Sequence, residues 1–245
     1  MSTPKKRLDL IVHEQYPHLS RSFIQQRIEA GSVEVDGVPV TKPGAPIELT
    51  ATVVLLETEP KFVSRGGNKL QAALDHFNFD VKGLTVLDAG ISTGGFTDCM
   101  LQRGAAKIYG IDVGTAQVHP KIAQDPRVVV YENINIRYLK SLPEQVDLAT
   151  LDLSFISLTK IIKALAPHIK IGGHIIALIK PQFEAERHEV RRGGLITDQK
   201  VHDRIKKTVP QAFIDEGFTC LGIIDAPQQH INPSNQEFLG LFKKA

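Results

Sequence analysis

The sequence predicts an α/β fold in which a mostly parallel sheet follows a small N-terminal α+β unit. From Leu84 onward, apolar strand-like segments alternate with helical segments, which is typical of a parallel sheet covered by helices on both faces. Before that, short helical patterns are followed by a hairpin signal. A length of 245 residues allows one large domain, or a medium domain with a small appendage.

The N-terminal part begins with helical periodicity. Apolar residues from Lys5 to Ala30 recur at helical spacing with a break at Pro17, which predicts two short helices. Ser20 is placed to cap the second helix. The turn Asp36-Gly37 lies within an alternating apolar and polar stretch, which predicts a β-hairpin, and TATVVLLE can supply another strand.

Two glycines precede the next helical pattern, at Lys69 to Phe77, and indicate a linker before it. We therefore predict a first domain over residues 1–59, a linker over 60–66 and a second domain over 67–245.

The sequence of the second domain predicts seven strands with intervening helices. The predicted strands are TVLDAG, AKIYGIDVG, RVVVYEN, VDLATLDLS, GGHIIALIKPQ, FTCLGIIDA and EFLGLFKK. Helical patterns occupy GFTDCMLQRG, SLTKIIKALAPHI and residues 198–216. The last two strands are joined by a loop without a helix, so we expect them to form a closing antiparallel pair.

Composition excludes several classes of protein. Hydrophobic residues make up 42% and charged residues 23%, as in ordinary globular domains, and the net charge of +2 means that any nucleic-acid surface is a local patch. Cys99 and Cys220 lack CxxC spacing, so no disulfide scaffold or metal site is predicted. No apolar run approaches the ~20 residues that cross a bilayer, and the basic start is soon broken by charges. We expect a cytoplasmic protein with no membrane partner.

Charged residues at the ends of apolar segments are the main indication of chemistry. They are Lys69, Asp152, Lys180 and Glu237. If the strands form one parallel sheet, the ends at Asp152 and Lys180 open on one crevice, where such folds bind ligands. A lysine beside carboxylates there suggests proton abstraction. The alternative is that these residues form ordinary salt bridges at solvated strand ends.

A glycine-rich loop, DAGISTGGF, joins the first strand of this sheet to a helix, so backbone and ligand can approach closely. The loop matches neither GxGxxG nor GxxxxGK[ST], which disfavours NAD and ATP. An acid at the strand end, Asp88, fits a cationic, phosphate-free nucleoside such as S-adenosylmethionine. Asp112 can accept hydrogen bonds from ribose hydroxyls, while Asn133 and Asn135 either reach an adenine edge or serve as turn residues.

Several motifs in order resemble one known family. DAGISTGGFTDCMLQRGA, LDLSFISL, IKPQFE, GGLITD and NQEFL are similar to the TlyA-type ribosomal RNA methyltransferases, and their wider group is FtsJ-like. The segment RSFIQQRIEAGSVEVDGVPVTKPG is similar to the RNA-binding module of ribosomal protein S-four. The resemblance implies a Rossmann-like, mostly parallel methyltransferase sheet of seven strands. It also implies S-adenosylmethionine-dependent 2'-O-methylation of ribose, in cytidine of ribosomal RNA or of assembled subunits.

The resemblance also implies roles for individual residues. Lys69, Asp152, Lys180 and Glu237 form the implied catalytic set, with Lys180 as base, Asp152 orienting it and Glu237 holding Lys69 or the ribose. The residues expected to hold the cofactor are Asp88, Gly90, Ser92, Gly94, Gly95, Phe96, Asp112, Asn133 and Asn135. We expect phosphate contacts from Lys5, Lys6, Arg7, Arg21, Arg27, Arg65, Arg187, Arg191 and Arg192. For the N-terminal cations, an ordinary solvated face is the alternative.

Two other functions stay open. A non-catalytic RNA-binding protein would keep the fold without the reaction, and family members are also called haemolysins, although no strongly amphipathic basic segment supports membrane activity. Base methylation is disfavoured, because Asp152-Leu153-Ser154-Phe155 lacks the Pro-Pro-aromatic element and neither cysteine follows a proline.

Overall fold

The computed structural model describes residues 4–56, 60–227 and 235–245. The chain divides into two compact units, Met1–Lys61 and Phe62–Ala245. This division lies within the predicted linker 60–66, whereas the predicted domain edge at Glu59 falls outside the described residues.

The described residues of the first unit, 4–56 and 60–61, form two helices and five short strands. The helices are α1 (Leu8–Gln15) and α2 (Arg21–Glu29), and the strands are β1 (Lys5–Arg7), β2 (Val33–Val35), β3 (Val38–Pro39), β4 (Pro46–Glu48) and β5 (Val53–Leu55). Strands β1 and β4 pair antiparallel, and β3, β2 and β5 form a second antiparallel sheet in that order. The buried side chains of α1, α2 and β2 form its core, with Leu8, Val12, Ile24, Ile28 and Val33 fully buried.

Local signals set two features of this unit. Ser20 Oγ accepts a hydrogen bond from the Phe23 backbone N–H, so the predicted N-terminal cap of α2 is confirmed. Asp36 and Gly37 both have positive φ angles, 52° and 79°, which is the conformation that a two-residue hairpin loop requires. The hairpin β2–β3 therefore forms where the sequence predicts it.

The second unit contains the large sheet. Its strands are β6 (Thr85–Ala89), β7 (Lys107–Ile111), β8 (Val128–Tyr131), β9 (Val146–Leu151), β10 (Ile169–Ile179), β11 (Phe218–Asp225) and β12 (Phe238–Lys244). Its helices are α3 (Gly66–His76), α4 (Gly95–Gln102), α5 (Pro120–Ala123), α6 (Ile162–Leu165), α7 (Pro181–Glu184) and α8 (Gln199–Asp215). Among the described residues, no helix is both long enough and apolar enough to span a membrane.

The seven strands described are ordered β11-β12-β10-β9-β6-β7-β8. Strand β12 runs antiparallel to both of its neighbours, β10 and β11, and the pairs from β10 to β8 are parallel. The chain leaves β6 towards β7 and β8, then returns on the other side of β6 to form β9 and β10. Ligands bind at such a switch point, outside the carboxyl ends of the strands. The predicted fold class and the antiparallel pairing of the last two strands are confirmed, while the insertion of β12 between β10 and β11 has no local sequence signal.

The central strands are buried on both faces. Leu87, Ala149 and Ile175 pack into one core, whereas their chain neighbours Val86 and Leu148 pack into the other. Successive residues of a strand point to opposite faces, so a continuous apolar run is needed where helices cover both sides. This explains why these strands lack the alternating pattern seen in the first unit.

Candidate active site

A cleft of about 420 Å³ in the second unit is lined by all the residues predicted to be catalytic. They are Lys69, Asp152, Lys180 and Glu237. The glycine loop forms another part of the same wall, through Gly90, Ser92, Gly95 and Phe96. Sequence segments more than 150 residues apart thus meet at one place.

Asp152 and Lys180 come from the ends of adjacent parallel strands. The register of β9 and β10 pairs Leu151 with Ala177, so both side chains emerge at the carboxyl edge of the sheet. Lys180 Nζ lies 2.7 Å from Asp152 Oδ1 and donates a hydrogen bond to Ser154 Oγ at 3.1 Å. The Lys180 side chain is only 12% exposed, so this amine is largely withdrawn from solvent.

Lys69 and Glu237 form the second pair of the cleft. Lys69 Nζ donates a hydrogen bond to Glu237 Oε2 at 2.5 Å, and both side chains are at most 20% exposed. Glu237 directly precedes β12. Because β12 is antiparallel, its amino end lies at the same edge of the sheet as the carboxyl ends of the parallel strands, which brings Glu237 to the cleft.

The segment before α3 is held against α4, and this positions Lys69. The buried carboxylate of Asp98 accepts a hydrogen bond from the Val63 N–H at 2.8 Å. A Cβ on Gly95 would lie 2.1 Å from Ser64 Oγ, and one on Gly67 would lie 2.4 Å from the Phe62 ring. Only glycine allows this close approach, which explains the two glycines independently of any ligand.

The backbone of the glycine loop is shaped by its surroundings. Gly90 has φ 85°, and a Cβ there would lie 2.5 Å from the Asp152 carbonyl oxygen. Gly94 has φ 95°, and its Cβ would lie 3.0 Å from Ile122. Gly90 thus lets the loop pass close to the end of β9, and Gly94 is the N-cap residue of α4 and does not itself line the cleft.

A second, wider cleft of about 1210 Å³ shares Gly90, Ser92 and Asp152 with the first. Asp112 and Asn135 line it. Asp112 accepts hydrogen bonds from the backbone N–H groups of Ser92 at 2.9 Å and Gly114 at 2.8 Å, so it fixes the loop while its remaining lone pairs stay available. An acid and an open glycine backbone fit a cationic nucleoside, the class of cofactor that the sequence predicts.

Besides Gly94, three predicted cofactor residues lie elsewhere or have another partner. Asn135 Oδ1 accepts the Arg137 N–H at 3.0 Å and so caps a 3₁₀ turn. Asn133 lies on the surface with φ 58° and lines neither cleft. Asp88 also lines neither cleft.

Asp88 is an interior group. It is fully buried and accepts hydrogen bonds from Thr97 Oγ1 at 2.6 Å and Thr150 Oγ1 at 2.8 Å. Burial raises the pKa of Asp88 to about 6, although the two hydroxyl groups oppose this rise. Asp88 therefore ties the end of β6 to β9 and α4 directly beneath the glycine loop.

Asn235 and Gln182 line the first cleft and have no place among the predicted site residues. Asn235 Nδ2 donates to Gln182 Oε1 at 3.0 Å and to the Gly194 carbonyl at 2.7 Å, while its Oδ1 accepts the Ile196 N–H at 2.7 Å. Asn235 thus joins three segments. The available sequence signal was that Gln182 and Asn235 each lie two residues from a predicted catalytic residue.

The predicted RNA contacts of the first unit already have partners within that unit. Arg7 and Arg21 both pair with the buried carboxylate of Asp9, at 2.9 and 3.1 Å. Lys5 lies 3.7 Å from Glu48, Lys6 pairs with Glu14, and the Arg27 guanidinium lies 5.1 Å from the Phe23 ring centroid. Arg7 and Arg21 remain 53% exposed, so phosphate contact stays possible in competition with these partners.

The second unit presents further cations beside the clefts. Arg65 lines the first cleft, and Arg187 lines the second together with Arg137 and Lys160, which were not predicted. Arg191 and Arg192 are exposed on the loop that follows α7.

Residues 62–244 match the sequence profile of the FtsJ-like methyltransferases, and residues 6–53 match that of the S4 domain. The chain belongs to the FtsJ-like methyltransferase family. The S4 match covers most of the first unit, and the FtsJ-like match covers essentially the whole second unit.

Named relatives of this FtsJ-like chain span nearly its whole length. The 16S/23S rRNA (cytidine-2'-O)-methyltransferase TlyA of Mycobacterium tuberculosis is 38% identical, over 91% of this chain and 84% of the relative. Hemolysin A of Brachyspira hyodysenteriae is 40% identical, over 86% of this chain and 89% of the relative. The sequence-based assignment to the TlyA-type group is thereby confirmed.

Solved structures agree with the fold. The structure called "Putative hemolysin from Streptococcus thermophilus" superposes with a TM-score of 0.74 at 37% identity, over all of this chain and 90% of that chain. The structure called "Crystal structure of putative S-adenosylmethionine dependent methyltransferase from Listeria monocytogenes" superposes with a TM-score of 0.55 at 20% identity, over 74% of this chain and all of that chain. The second of these supports the fold alone.

Proposed function

We propose that this protein transfers a methyl group from S-adenosylmethionine to the 2'-hydroxyl of a ribose, that of a cytidine in ribosomal RNA. The observation that carries the proposal is the meeting of two lysine–carboxylate pairs in one cleft beside the glycine loop. The M. tuberculosis relative is named for the same reaction.

When bound, the cofactor would supply a methyl group made electrophilic by its sulfonium, and rupture of the S–CH3 bond would leave the neutral thioether S-adenosylhomocysteine. A ribose hydroxyl is a weak nucleophile, so the protein has to position it and remove its proton. In the proposed reaction Lys180 Nζ, in its amine form, accepts that proton, while Asp152 and Ser154 hold the amine in place. General-base help of this kind is worth about 100- to 10,000-fold in rate.

Lys69 and Glu237 face the same space and have a positioning role in this proposal. Glu237 holds the Lys69 ammonium, which can donate a hydrogen bond to the ribose. Gly90, Ser92 and Asp112 border the clefts on the side of the glycine loop, where they can contact the adenosine part of the cofactor.

An aromatic pair, in which the Phe155 ring is exposed and the Phe183 ring is partly buried, supports an RNA substrate with unpaired nucleotides. Phe155 is 93% exposed and lines the second cleft, and its ring centroid lies 5.2 Å from that of Phe183. Sequence-tolerant RNA binding commonly uses aromatic side chains on which unstacked bases stack. Arg137, Lys160 and Arg187 beside this pair can contact phosphates.

Ribosomal RNA within ribosomal subunits is the proposed form of the substrate, which would locate the reaction in the cytoplasm. Purified protein should be incubated with S-adenosylmethionine labelled on its methyl group and with separated small and large subunits. The expected product is labelled RNA in which the linkage after the modified nucleotide resists alkaline cleavage, because a 2'-O-methyl group cannot attack the phosphate.

The Lys180→Ala variant is the matched control and should incorporate little label. Label found on bases instead of riboses would contradict the proposal. Binding of RNA without any incorporation would favour the non-catalytic alternative.

A further inference from the structure

The geometry around Lys180 depends on two loops that leave the sheet. Residues 152–157 follow β9, and α7 follows β10. The pairing between these two strands ends at Leu151 and Ala177, so the backbone ladder does not align the residues beyond it. The Asp152 backbone N–H still donates a hydrogen bond to the Ala89 carbonyl of β6 at 3.1 Å, so it is the position of Ser154 relative to Lys180 that depends on side-chain contacts.

Glu184, the last residue of α7, makes such a contact through both carboxylate oxygens. Oε1 accepts a hydrogen bond from the Leu158 backbone N–H at 2.8 Å, and Oε2 accepts one from Ser157 Oγ at 2.6 Å. Ser157 also caps the 3₁₀ turn that begins at Leu158. One side chain thus ties α7 to the far end of the loop that follows β9.

The loop that Glu184 holds has an unfavourable backbone. Phe155 has φ 64°, a left-handed conformation that is uncommon for an aromatic residue and persists only where the surroundings impose it. Its side chain is 93% exposed, so burial of the ring contributes little to holding the loop. The polar anchor at Ser157 and Leu158, two residues further on, is positioned to impose this conformation.

Because Glu184 is withdrawn from solvent, its carboxylate depends on these two hydrogen bonds. Burial of Glu184 raises the pKa of its carboxyl, and the hydrogen bonds from Leu158 and Ser157 and the charge of Lys160 oppose that rise. A carboxylate withdrawn from water is costly unless it is hydrogen-bonded, and both of these donors belong to the opposite loop. Separation of the two segments would break the hydrogen bonds of the buried Glu184 carboxylate and of its two donors, and it is therefore disfavoured.

We propose that Glu184 is a positioning residue, whose two hydrogen bonds across the loops keep the segment that carries Ser154 against Lys180. The inference rests on the proposed methyl transfer, since it concerns the geometry of that reaction. Glu184 does not line either cleft and acts only through the loop that it anchors.

The test compares Glu184→Ala with Glu184→Gln. The alanine variant should lower kcat by about 10- to 100-fold, because small misplacements of reacting groups are costly. Its Kd for S-adenosylmethionine should stay within about twofold of wild type, since the contacts of Asp112 and the glycine loop are untouched. Glutamine can accept from Leu158 N–H and donate to Ser157 Oγ, so kcat should recover to within about threefold of wild type.

Glu186→Ala is the matched control, because Glu186 is an exposed carboxylate two residues away whose ionic partners are His188 and Arg204. It should turn over like wild type. The positioning role would be wrong if Glu184→Ala had the kcat of wild type. It would also be wrong if Glu184→Gln lowered kcat as much as Glu184→Ala. Should Glu184→Ala fail to fold, Ser157→Ala removes one of the two bonds and should give a smaller loss of kcat; no loss would overturn the inference.

Hydrogen exchange separates this inference from the proposed function. The Leu158 amide should be protected in wild type and in Glu184→Gln, and should exchange faster in Glu184→Ala. This readout needs no RNA substrate. If the wild-type protein failed to methylate RNA while this exchange pattern held, the proposed function would be wrong and the anchoring contact would still stand; equal exchange in all three proteins would remove the contact itself.

Discussion

Lys69 Nζ and Glu237 Oε2 lie 2.5 Å apart although 168 residues separate them in the chain. The pair joins α3, at the start of the second unit, to the beginning of the last strand. One side of the cleft is therefore built only when β12 has been inserted into the sheet between β10 and β11.

The Lys69–Glu237 pair should behave as one unit in the reaction. Lys69→Ala and Glu237→Ala should each lower kcat/KM, and the double variant should lose little more than the worse single variant, because each residue acts through the other. Steady-state kinetics of all four proteins measures this. Lys107 and Glu144, a pair in which both side chains are more than 40% exposed, provide the control cycle, which should leave kcat/KM unchanged.

Replacement of Lys180 should abolish proton removal and spare cofactor binding. Lys180→Ala should lower kcat by about 100- to 10,000-fold while the Kd for S-adenosylmethionine changes little. Lys180→Arg should fail as well, since a guanidinium does not lose its proton near neutrality. Single-turnover methylation and calorimetric titration separate the two quantities. Turnover within a fewfold of wild type in Lys180→Ala would rule this residue out as the base.

Removal of the exposed ring of Phe155 should weaken RNA binding. Phe155→Ala should raise the Kd for the RNA substrate by about 5- to 160-fold, as expected for the loss of stacking worth about 1–3 kcal/mol per base. Phe155→Tyr keeps the stacking surface and should bind like wild type. Tyr138→Ala is a useful comparison, because Tyr138 is 71% exposed but lines neither cleft. Equal affinities for wild type and Phe155→Ala would exclude a stacking role.

Asp88 should make stability depend on pH in the mildly acidic range. Its pKa is raised from 3.8 to about 6, so folding takes up a proton between these two values. The contribution of Asp88 to the free energy of unfolding is then greatest below pH 3.8 and falls as pH rises to about 6, by about 3 kcal/mol in total.

In Asp88→Asn the free energy of unfolding should not show this decrease with rising pH, because an amide does not titrate. The measurement is denaturant unfolding of both proteins at several pH values, compared as wild type minus variant. Asp80→Asn, at an exposed carboxylate, should leave the pH dependence of wild type intact. A constant difference between wild type and Asp88→Asn across this range would show that Asp88 does not titrate there.

The first unit offers a test of phosphate contact that avoids its buried ion pairs. Arg7 and Arg21 hold Asp9, whose pKa lies well below its usual range chiefly because Arg7 hydrogen-bonds to it, so their removal also disturbs the unit itself. Lys6→Gln avoids this problem. It should weaken RNA binding at low salt and reduce the slope of log affinity against log salt by about 0.7–0.9.

Lys207→Gln, at an exposed position of α8, is the control and should leave the slope unchanged. The measurement is RNA affinity between roughly 50 and 200 mM salt. An unaltered slope in Lys6→Gln would remove Lys6 from the phosphate contacts.

The sequence alone was sufficient for the strands of the second unit, the fold class and the Lys180 side of the site. In the first unit it missed β4, and β1 occupies Lys5–Arg7, where a helical pattern was predicted. Apolar runs buried on both faces identify parallel strands, and the carboxyl ends of such strands share one edge of the sheet. Asp152 and Lys180 could therefore be placed together from their positions at strand ends. The resemblance to a known family then supplied the roles of Lys69 and Glu237.

Tertiary structure alone decided where other side chains point and which partners they meet. Asp88 was expected at the cofactor, but Thr97 and Thr150 hold it in the interior. The charge of Arg7 predicts a phosphate contact, yet Arg7 pairs with the buried Asp9. The contacts of Glu184 join segments whose alignment depends on how β9 and β10 pack together. A local pattern specifies an element, whereas the partners of a polar side chain depend on segments brought together only by folding.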